Sequence, residues 1–226
     1  MTLLIQAKRN LRVAAAAMLI LSLPVLAQEA GGHGGHFGDA ERWAKVFNDP
    51  ERRDWQMPIE VVELLGISPG QRVADLGVGT GFFLSTLCAS VGRKGQVYAV
   101  DIEQGMLDYI RENAVRACDE VMVPILADPA DPGLPRGELD LILVVNTWHH
   151  VADRGNYLPH LARALRSDGR VAVIDWRSGE LPMGPPPEER LPREQAIAEF
   201  EKAGWRFDSE SAMLPFQYFL VFERPR

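Results

Sequence analysis

The chain has little cysteine and no excess of basic residues, and both shortages limit its function. Cys88 and Cys118 are the two cysteines in 226 residues, too few for a disulfide framework and without the spacing of a metal knuckle. We expect two buried or half-buried thiols on helices. The alternative, if the domain is exported, is a single disulfide between them. We expect no metal site. The formal net charge of −7 repels phosphate backbones and argues against nucleic-acid binding.

The N-terminus lacks an apolar run long enough to span a bilayer. Residues 13–27 are uncharged, but a membrane-spanning helix needs roughly 20 apolar residues. A basic segment precedes this run and small residues end it, which is the layout of a secretory signal peptide. We predict a signal peptide over residues 1–27, cleavage near Ala27 and a periplasmic or secreted protein, with an uncleaved membrane anchor as the alternative. The glycine-rich residues 28–38 predict a flexible linker to a domain over residues 39–226.

Strands and helices alternate from residue 72 onward, which predicts an α/β fold with a parallel sheet and helices on both faces. Ligands of such sheets bind beyond the carboxyl ends of the strands, where the strand order reverses. We therefore look for functional residues just after the strands. The predicted strands are residues 72–76, 96–100, 121–127, 139–145, 170–175, 205–211 and 217–223. The predicted helices are residues 39–47, 58–65, 82–91, 103–118, 156–165 and 192–204, with a turn at residues 167–169.

A glycine-rich loop follows the first predicted strand. Residues 75–81 read Asp-Leu-Gly-Val-Gly-Thr-Gly, and glycines let the backbone turn tightly and approach a ligand closely. The dinucleotide fingerprint would place its last glycine where Phe82 stands, and the lysine of a P-loop is absent. The loop therefore predicts a ligand that is not recognised by its phosphate groups. This spacing argues against a nicotinamide-dependent oxidoreductase, which stays the weakest alternative.

Acidic residues end the next two predicted strands. Asp101 follows the second strand, where a carboxylate can accept hydrogen bonds from both hydroxyls of a ribose; the alternative for it is a helix cap. Asp128 ends the third strand, and the alternative for it is a turn residue before Pro129. Together with the glycine loop, these acids predict a nucleoside-containing ligand.

With this loop and these acids, residues 67–223 resemble the class I S-adenosylmethionine (SAM)-dependent methyltransferases, whose acid-x-Gly-x-Gly-x-Gly motif is complete at residues 75–81. The resemblance implies a Rossmann-like three-layer αβα sandwich with a seven-stranded, mostly parallel sheet and an antiparallel last strand. It also implies SAM as cofactor and a small-molecule methyl acceptor. Residues 48–58 and 179–190 further resemble a group of small bacterial methyltransferases with leaders. An exported SAM- or nucleoside-binding module without catalysis stays the alternative.

The resemblance also assigns a set of cofactor-binding residues. The glycines would pass under the methionine part of SAM, and the acid after the second strand would bind the ribose. The apolar residues that follow it would flank the adenine, whose exocyclic amine would bind the acid after the third strand. The asparagine after the fourth strand would face the amino-acid end. The full set is Asp75, Gly77, Gly79, Gly81, Asp101, Ile102, Met106, Asp128 and Asn146.

Candidate catalytic residues follow the fourth and fifth strands. Methyl transfer mainly needs an acceptor held in line, and it needs a base only if the acceptor must lose a proton. His149 and His150 follow the fourth strand, so at least one should face the pocket as a candidate base; helix capping and packing are the alternatives. Asp175 ends the fifth strand, where it would orient a histidine or simply end the strand.

Aromatic residues and a proline-rich segment complete the predicted site. The proline-rich residues 184–190 form neither a helix nor an inner strand, and they would be either a lid over the site or a surface connector. The aromatic residues would either wall an apolar acceptor site or pack in the core; they are Trp55, Tyr157, Phe216 and Tyr218. Beyond the leader, we expect no membrane contact. The sequence sets neither the acceptor nor the oligomeric state.

Overall fold

The computed structural model describes residues 39–113 and 116–226. The predicted signal peptide and linker, residues 1–27 and 28–38, lie outside these residues. Among the helices in the described ranges, none combines the length and the apolar character that crossing a membrane requires.

A seven-stranded sheet runs through the described domain in the order β3-β2-β1-β4-β5-β7-β6. The first five strands pair in parallel, whereas β7 runs antiparallel to both of its neighbours. The expected mostly parallel sheet with an antiparallel last strand is therefore confirmed. The strands are β1 (Arg72–Leu76), β2 (Gln96–Asp101), β3 (Met122–Leu126), β4 (Leu139–Val145), β5 (Leu165–Trp176), β6 (Arg206–Ser211) and β7 (Gln217–Glu223).

Helices cover both faces of this sheet. Successive strand residues point to opposite faces, so Val73 packs in the apolar cluster under α3, α4 and α5, and Ala74 packs in the cluster under α6 and α7. The result is the three-layer αβα sandwich. The helices of the described residues are α1 (Ala40–Phe47), α2 (Arg52–Gln56), α3 (Pro58–Leu64), α4 (Leu84–Val91), α5 (Gln104–Asn113), α6 (Arg154–Ala164) and α7 (Arg193–Lys202).

The order of the strands reverses between β1 and β4. The chain runs outward from β1 through β2 to β3 and then returns to place β4 on the other side of β1, with Val73 opposite Leu141 and Leu76 opposite Val144. The connections after β1 and β4 therefore leave in opposite directions and open a crevice at the carboxyl ends of the strands. The glycine loop lies at this crevice.

The predicted turn at residues 167–169 is wrong, because β5 runs through this segment. The pairing of β5 with β4 shifts register between Leu139 and Leu141, which absorbs the irregular stretch within the strand. A Cβ on Gly169 would lie 2.8 Å from the carbonyl oxygen of Leu139. The glycine thus allows close approach of two strands, a role that sequence alone does not distinguish from a turn.

Two helix predictions also differ from the structure. The helix predicted over residues 103–118 is shorter, with α5 ending at Asn113 and Cys118 lying in a turn. The segment between Pro50 and Pro58 contains the additional helix α2. A helix of five residues carries too little apolar periodicity to be recognised in a sequence.

The cysteines form a disulfide. The expectation of two free thiols is therefore wrong, and the alternative, a single disulfide, is present. Cys88 lies in α4, and its Cα is 5.2 Å from the Cα of Cys118. The segment after α5 returns beside α4 on the same face of the sheet, which brings together residues separated by 30 positions in the chain. This proximity arises from packing between elements, which the local sequence pattern does not encode.

Candidate functional site

A cavity of about 560 Å³ lies beyond the carboxyl ends of the central strands. One wall is the glycine loop after β1, and the start of α5 forms the next. The 3-10 turn after β4, residues 148–150, closes the inner end. The segment from α1 to α2 and the proline-rich residues 183–186 lie on the outer side. The cavity therefore occupies the crevice where the strand order reverses.

The glycine loop is tied to the end of β2 by hydrogen bonds. The backbone N–H groups of Gly77 and Val78 donate to the carbonyl oxygen of Val100 over 2.8 and 3.0 Å. The N–H of Gly79 donates to Oδ2 of Asp101 over 2.8 Å. The tips of β1 and β2 are thus in direct contact.

The three glycines of the loop serve different purposes. A Cβ on Gly77 would overlap the side chain of Thr147, and Gly81 lies outside the cavity lining, where a Cβ would be 3.2 Å from Ile110. At Gly79 the nearest atom to a Cβ would be Cδ2 of Phe47, at 3.8 Å. The bare faces of Gly77 and Gly81 therefore meet protein side chains, while Gly77 and Gly79 line the cavity; that all three glycines pass under a ligand stays a prediction. Gly79, with a φ of 51°, is the glycine that leaves space.

Asp101 is buried at the junction of the loop and β2. Besides the Gly79 N–H on Oδ2, its Oδ1 accepts the backbone N–H of Glu103 over 3.0 Å. A carboxylate offers about four acceptor positions, so these bonds leave acceptor capacity for a ligand. Burial raises the pKa of this carboxyl against the opposing effect of its backbone hydrogen bonds. Asp101 can therefore still accept a pair of hydroxyl groups.

Asp75 lies beneath Asp101 and is almost completely buried. Burial, together with the negative charge of Asp101, raises the pKa of Asp75 to about 7. The two carboxyls give this side of the cavity an acidic character. A cationic ligand would favour the ionised form of Asp75, because an opposite charge nearby lowers the pKa of an acid.

The residues expected around adenine are only partly at the cavity. Ile102 is exposed and Met106 is buried, and both line the cavity. Asp128 is exposed, and its Oδ1 accepts the backbone N–H of Ala130 over 2.8 Å. Asp128 is thus in a turn, as its alternative describes, and is outside the cavity lining, while its binding of the exocyclic amine stays a prediction.

Asn146 lines the cavity after β4 in a left-handed conformation, with a φ of 51°, which asparagine tolerates better than most residues. Its N–H donates to the carbonyl oxygen of Ile174, and its Oδ1 accepts Nε2 of Gln217 over 2.6 Å. Gln217 is fully buried. Sequence reasoning missed it, because only the antiparallel placement of β7 brings it beside β4.

His149 and Asp175 form a buried pair at the inner end of the cavity. Nδ1 of His149 lies 2.7 Å from Oδ1 of Asp175, and the backbone N–H of His149 donates to Oδ2 over 3.0 Å. Their side chains are only 4% and 1% exposed. Because a carboxylate accepts, Nδ1 carries the proton and Nε2 of the neutral ring is the acceptor. Asp175 therefore orients His149, one of the two arrangements that the sequence allowed.

His150 differs from His149 in its surroundings. It is exposed and lines the cavity, and its ring centroid lies 4.0 Å from that of His149. The carboxylate of Asp175 contacts the ring of His149. The pair His149–Asp175 is therefore the better candidate for a general base.

Aromatic side chains form much of the outer part of the cavity. Trp55 and Tyr157 line it, as expected for walls, and Trp176 at the end of β5 lies with its ring centroid 5.4 Å from that of Trp55. Phe216 contacts Trp55 at 6.0 Å between centroids but is outside the lining, and Tyr218 is buried in the core. The packing alternative therefore describes these last two residues.

The proline-rich segment covers the mouth of the cavity, so it is more than a surface connector. A Cβ on Gly184 would lie 2.8 Å from the ring of Trp176, and Pro185 and Pro186 line the cavity. The guanidinium of Arg190 donates to the carbonyl oxygens of Pro185 and Gly179, each over 2.7 Å. These bonds hold the segment in place.

Sequence reasoning also missed the segment that connects α1 and α2. Oγ1 of Thr80 donates to Oδ1 of Asn48 over 2.7 Å, which attaches this segment to the glycine loop. Arg52 and Gln56 in α2 line the cavity and are hydrogen bonded to each other. Their spacing of four residues between two prolines was the available signal, because residues i and i+4 are neighbours on a helix.

Comparison with known proteins agrees with the fold and the position of the cavity. Residues 74–173 match the family model described as a methyltransferase domain. The chain is 31% identical over 140 residues to aklanonic acid methyltransferase DauC of Streptomyces sp. strain C5, which covers 61% of this chain and 63% of the relative. It is 29% identical over 119 residues to the ubiquinone/menaquinone biosynthesis C-methyltransferase UbiE of Vibrio vulnificus. This match covers 51% of this chain and 45% of the relative. The chain thus spans less than two thirds of the length of these curated relatives.

A solved structure extends the similarity to most of the described domain. The crystal structure of a SAM-dependent methyltransferase from Aquifex aeolicus superposes with a TM-score of 0.74 at 27% identity, covering 81% of this chain and 97% of that chain. The two proteins therefore share their fold over most of the described domain.

The raised pKa of Asp75 predicts how the free energy of unfolding of the ligand-free protein changes with pH. An acid whose pKa is 3.8 in the unfolded chain and about 7 in the folded protein stabilises the fold fully below pH 3.8, and this contribution is lost as the pH rises to about 7. Asp75→Asn mimics the protonated acid. We expect it to raise the free energy of unfolding at pH 8 by on the order of 3 kcal/mol and to have little effect at pH 4, as measured by urea unfolding. The exposed control Asp119→Asn should change neither value, and an Asp75→Asn effect independent of pH would contradict the prediction.

Proposed function

We propose that the chain is a class I SAM-dependent methyltransferase that transfers a methyl group from SAM to a small-molecule acceptor. The observation that carries the proposal is the contact between Gly79, which leaves space for a ligand, and Asp101, whose acceptor capacity its backbone hydrogen bonds do not exhaust. A nucleoside needs both features at the same place. The names of the relatives, which refer to aklanonic acid and to quinone biosynthesis, support a small molecule as acceptor.

The residues of the cavity fit SAM. Asp101 would accept the ribose hydroxyls, and Ile102 and Met106 would contact the adenine. The acidic side formed by Asp75 and Asp101 suits a ligand that carries a sulfonium and an ammonium group, because opposite charges attract more strongly where water is excluded. Bound SAM supplies an electrophilic methyl group with a neutral thioether as leaving group.

The pair His149–Asp175 would hold the proton that the acceptor loses. Nε2 of His149 takes the proton from an O–H or an acidic C–H group as the new bond to the methyl carbon forms. Asp175 stabilises the resulting imidazolium through its hydrogen bond to Nδ1. The aromatic walls at Trp55 and Trp176 suit the apolar body of such an acceptor. We therefore propose an apolar acceptor with one ionisable hydroxyl or carbon acid.

We further propose that the protein acts outside the cytoplasm, behind a leader over residues 1–27. The disulfide between Cys88 and Cys118 supports this, because disulfides persist in oxidising compartments and are rare in the cytosol. Export then requires SAM, or a related nucleoside, to reach that compartment.

Titration calorimetry tests cofactor binding. We expect the wild type to bind SAM, and Asp101→Ala to weaken binding by about 100-fold or more, because hydrogen bonds to a charged group contribute about 1.5–3 kcal/mol each. The matched control is Asp128→Ala, whose carboxylate is used in a turn; its affinity should stay within about threefold of the wild type, less than 1 kcal/mol. Absence of heat with the wild type would refute the proposed function.

Methyl transfer itself is tested with a panel of phenols, carboxylic acids and carbon acids, by following S-adenosylhomocysteine release. We expect His149→Ala to lower kcat by about 10²–10⁴-fold, the usual contribution of a general base, with unchanged SAM affinity. His150→Ala serves as the matched control and should lose less than tenfold. Equal losses in the two variants would contradict the role of the oriented histidine.

Export is tested by the intact mass of the protein isolated from the cell that produces it naturally. We expect a chain that begins at Gln28 and is lighter by two hydrogens than its reduced form. The mass of a chain that begins at Met1 and carries two free thiols would contradict the proposal. A full-length chain found in the membrane fraction would mean that the leader is not cleaved and anchors the protein in the membrane.

A further inference from the structure

Arg52 lies in the cavity wall in a fixed position. Its Nε and NH2 groups donate to Oε1 of Gln56 over 3.0 and 2.6 Å, and NH1 donates to the carbonyl oxygen of Phe47. Its guanidinium carbon lies 4.5 Å from the ring centroid of Phe82. Arginine has five N–H donors, and these bonds use three of them. Two donors therefore remain for a further partner.

The positive charge of Arg52 has no anionic partner in the part of the chain that the structure describes. Every ion pair described for residues 39–113 and 116–226 joins other side chains. Burial lowers the pKa of Arg52 to about 10, although the nearby charge of Asp49 opposes this shift. A partly desolvated charge costs stability unless it is paired. An anion that enters the cavity would remove this cost.

Gln56 holds Arg52 in place. It is fully buried, and its Oε1 accepts both of the bonds from Arg52, while its Nε2 has no partner within the described residues. A buried amide with an unsatisfied N–H group destabilises the fold. The fold accepts this cost at a residue whose carbonyl oxygen fixes the guanidinium.

The position of Arg52 is beside the glycine loop. Phe82, on which the guanidinium lies, directly follows the loop, and Phe47 contacts the open face of Gly79. Arg52 is the only lysine or arginine among the cavity-lining residues in the described ranges. The acidic residues of that lining are Asp49, Glu51, Asp75, Asp101, Glu103 and Glu189.

SAM carries one carboxylate, at the end opposite the adenine. If Asp101 holds the ribose on one side of Gly79, this carboxylate must lie elsewhere along the loop, and the acids of the cavity would repel it. The guanidinium of Arg52 offers two N–H donors that match the two oxygens of a carboxylate. We propose that Arg52, fixed by Gln56, binds the carboxylate of the amino-acid end of SAM. This inference rests on the proposed function.

Two ligands that differ at this end test the proposal. S-adenosylhomocysteine carries the amino acid, whereas 5′-methylthioadenosine keeps the adenosine and the sulfur but lacks the carboxylate. We expect Arg52→Gln to weaken S-adenosylhomocysteine about 10- to 100-fold in calorimetry and to change the affinity for 5′-methylthioadenosine less than twofold. Arg52→Lys should lose less, because lysine keeps the charge but not the paired donors.

Controls separate this role from a structural one. Arg53→Gln changes the exposed neighbour in the same helix and should leave both affinities unchanged. Equal losses of both ligands in Arg52→Gln, or no loss of either, would overturn the proposal. A third result would also overturn it: Arg52→Gln keeps its affinity for S-adenosylhomocysteine, but its complex with that ligand no longer binds benzoate. This result would assign Arg52 to the binding of the acceptor. Failure of the wild type to bind either nucleoside would refute the proposed function, whereas equally tight binding of both would refute only the role of Arg52.

Discussion

The hydrogen bond from the backbone of Gly79 to Asp101 is the constraint on which the site depends. It joins the loop after β1 to the end of β2 and holds a buried carboxylate that still has acceptor capacity for a ligand. The remaining walls are arranged around this junction, because α1 and α2 attach to the same loop through Asn48 and Thr80. A change at the junction would therefore alter the ligand contacts and the placement of the outer wall together.

Charges that lack full compensation inside the protein define this cavity. Asp75 and Asp101 lie close together in a buried environment, and Arg52 in the wall of the same cavity forms no ion pair with any of the described residues. Apolar and aromatic walls exclude water around these groups, so each charge acts more strongly than it would at the surface. Such an arrangement costs stability without ligand and is typical of binding and catalytic sites. A zwitterionic cofactor would compensate charges of both signs.

The sequence predicts the sheet and the position of the site well, because both follow from local patterns. The aliphatic residues of β4 and the glycines after β1 identify a parallel sheet and its crevice, and Asp101 follows from its place after β2. The roles of Asp128 and Gly81 depend on where neighbouring side chains lie. Asp128 bonds Ala130 within a turn, and Gly81 makes room for Ile110.

Contacts between distant segments explain the remaining differences. The pairing of Cys88 with Cys118 arises from the return of the chain beside α4, and Gln217 reaches Asn146 because β7 is inserted between β5 and β6. Arg52 and Gln56 lie in a helix too short to show periodicity. The spacing of Arg52 and Gln56 is a weak local signal, whereas the disulfide and the bond from Gln217 to Asn146 require the three-dimensional order of the strands and helices.

Asp175 also determines how much the site must change during a reaction. Its Oδ1 accepts from the ring of His149 and from the backbone of Trp176, and its Oδ2 accepts from the backbone of His149. If His149 is the base of the proposed reaction, a proton that arrives on its ring meets dipoles already in place, so little reorganisation accompanies that step. The barrier then varies mainly with the acidity and alignment of the acceptor, so one scaffold can serve different acceptors through changes in its outer wall alone.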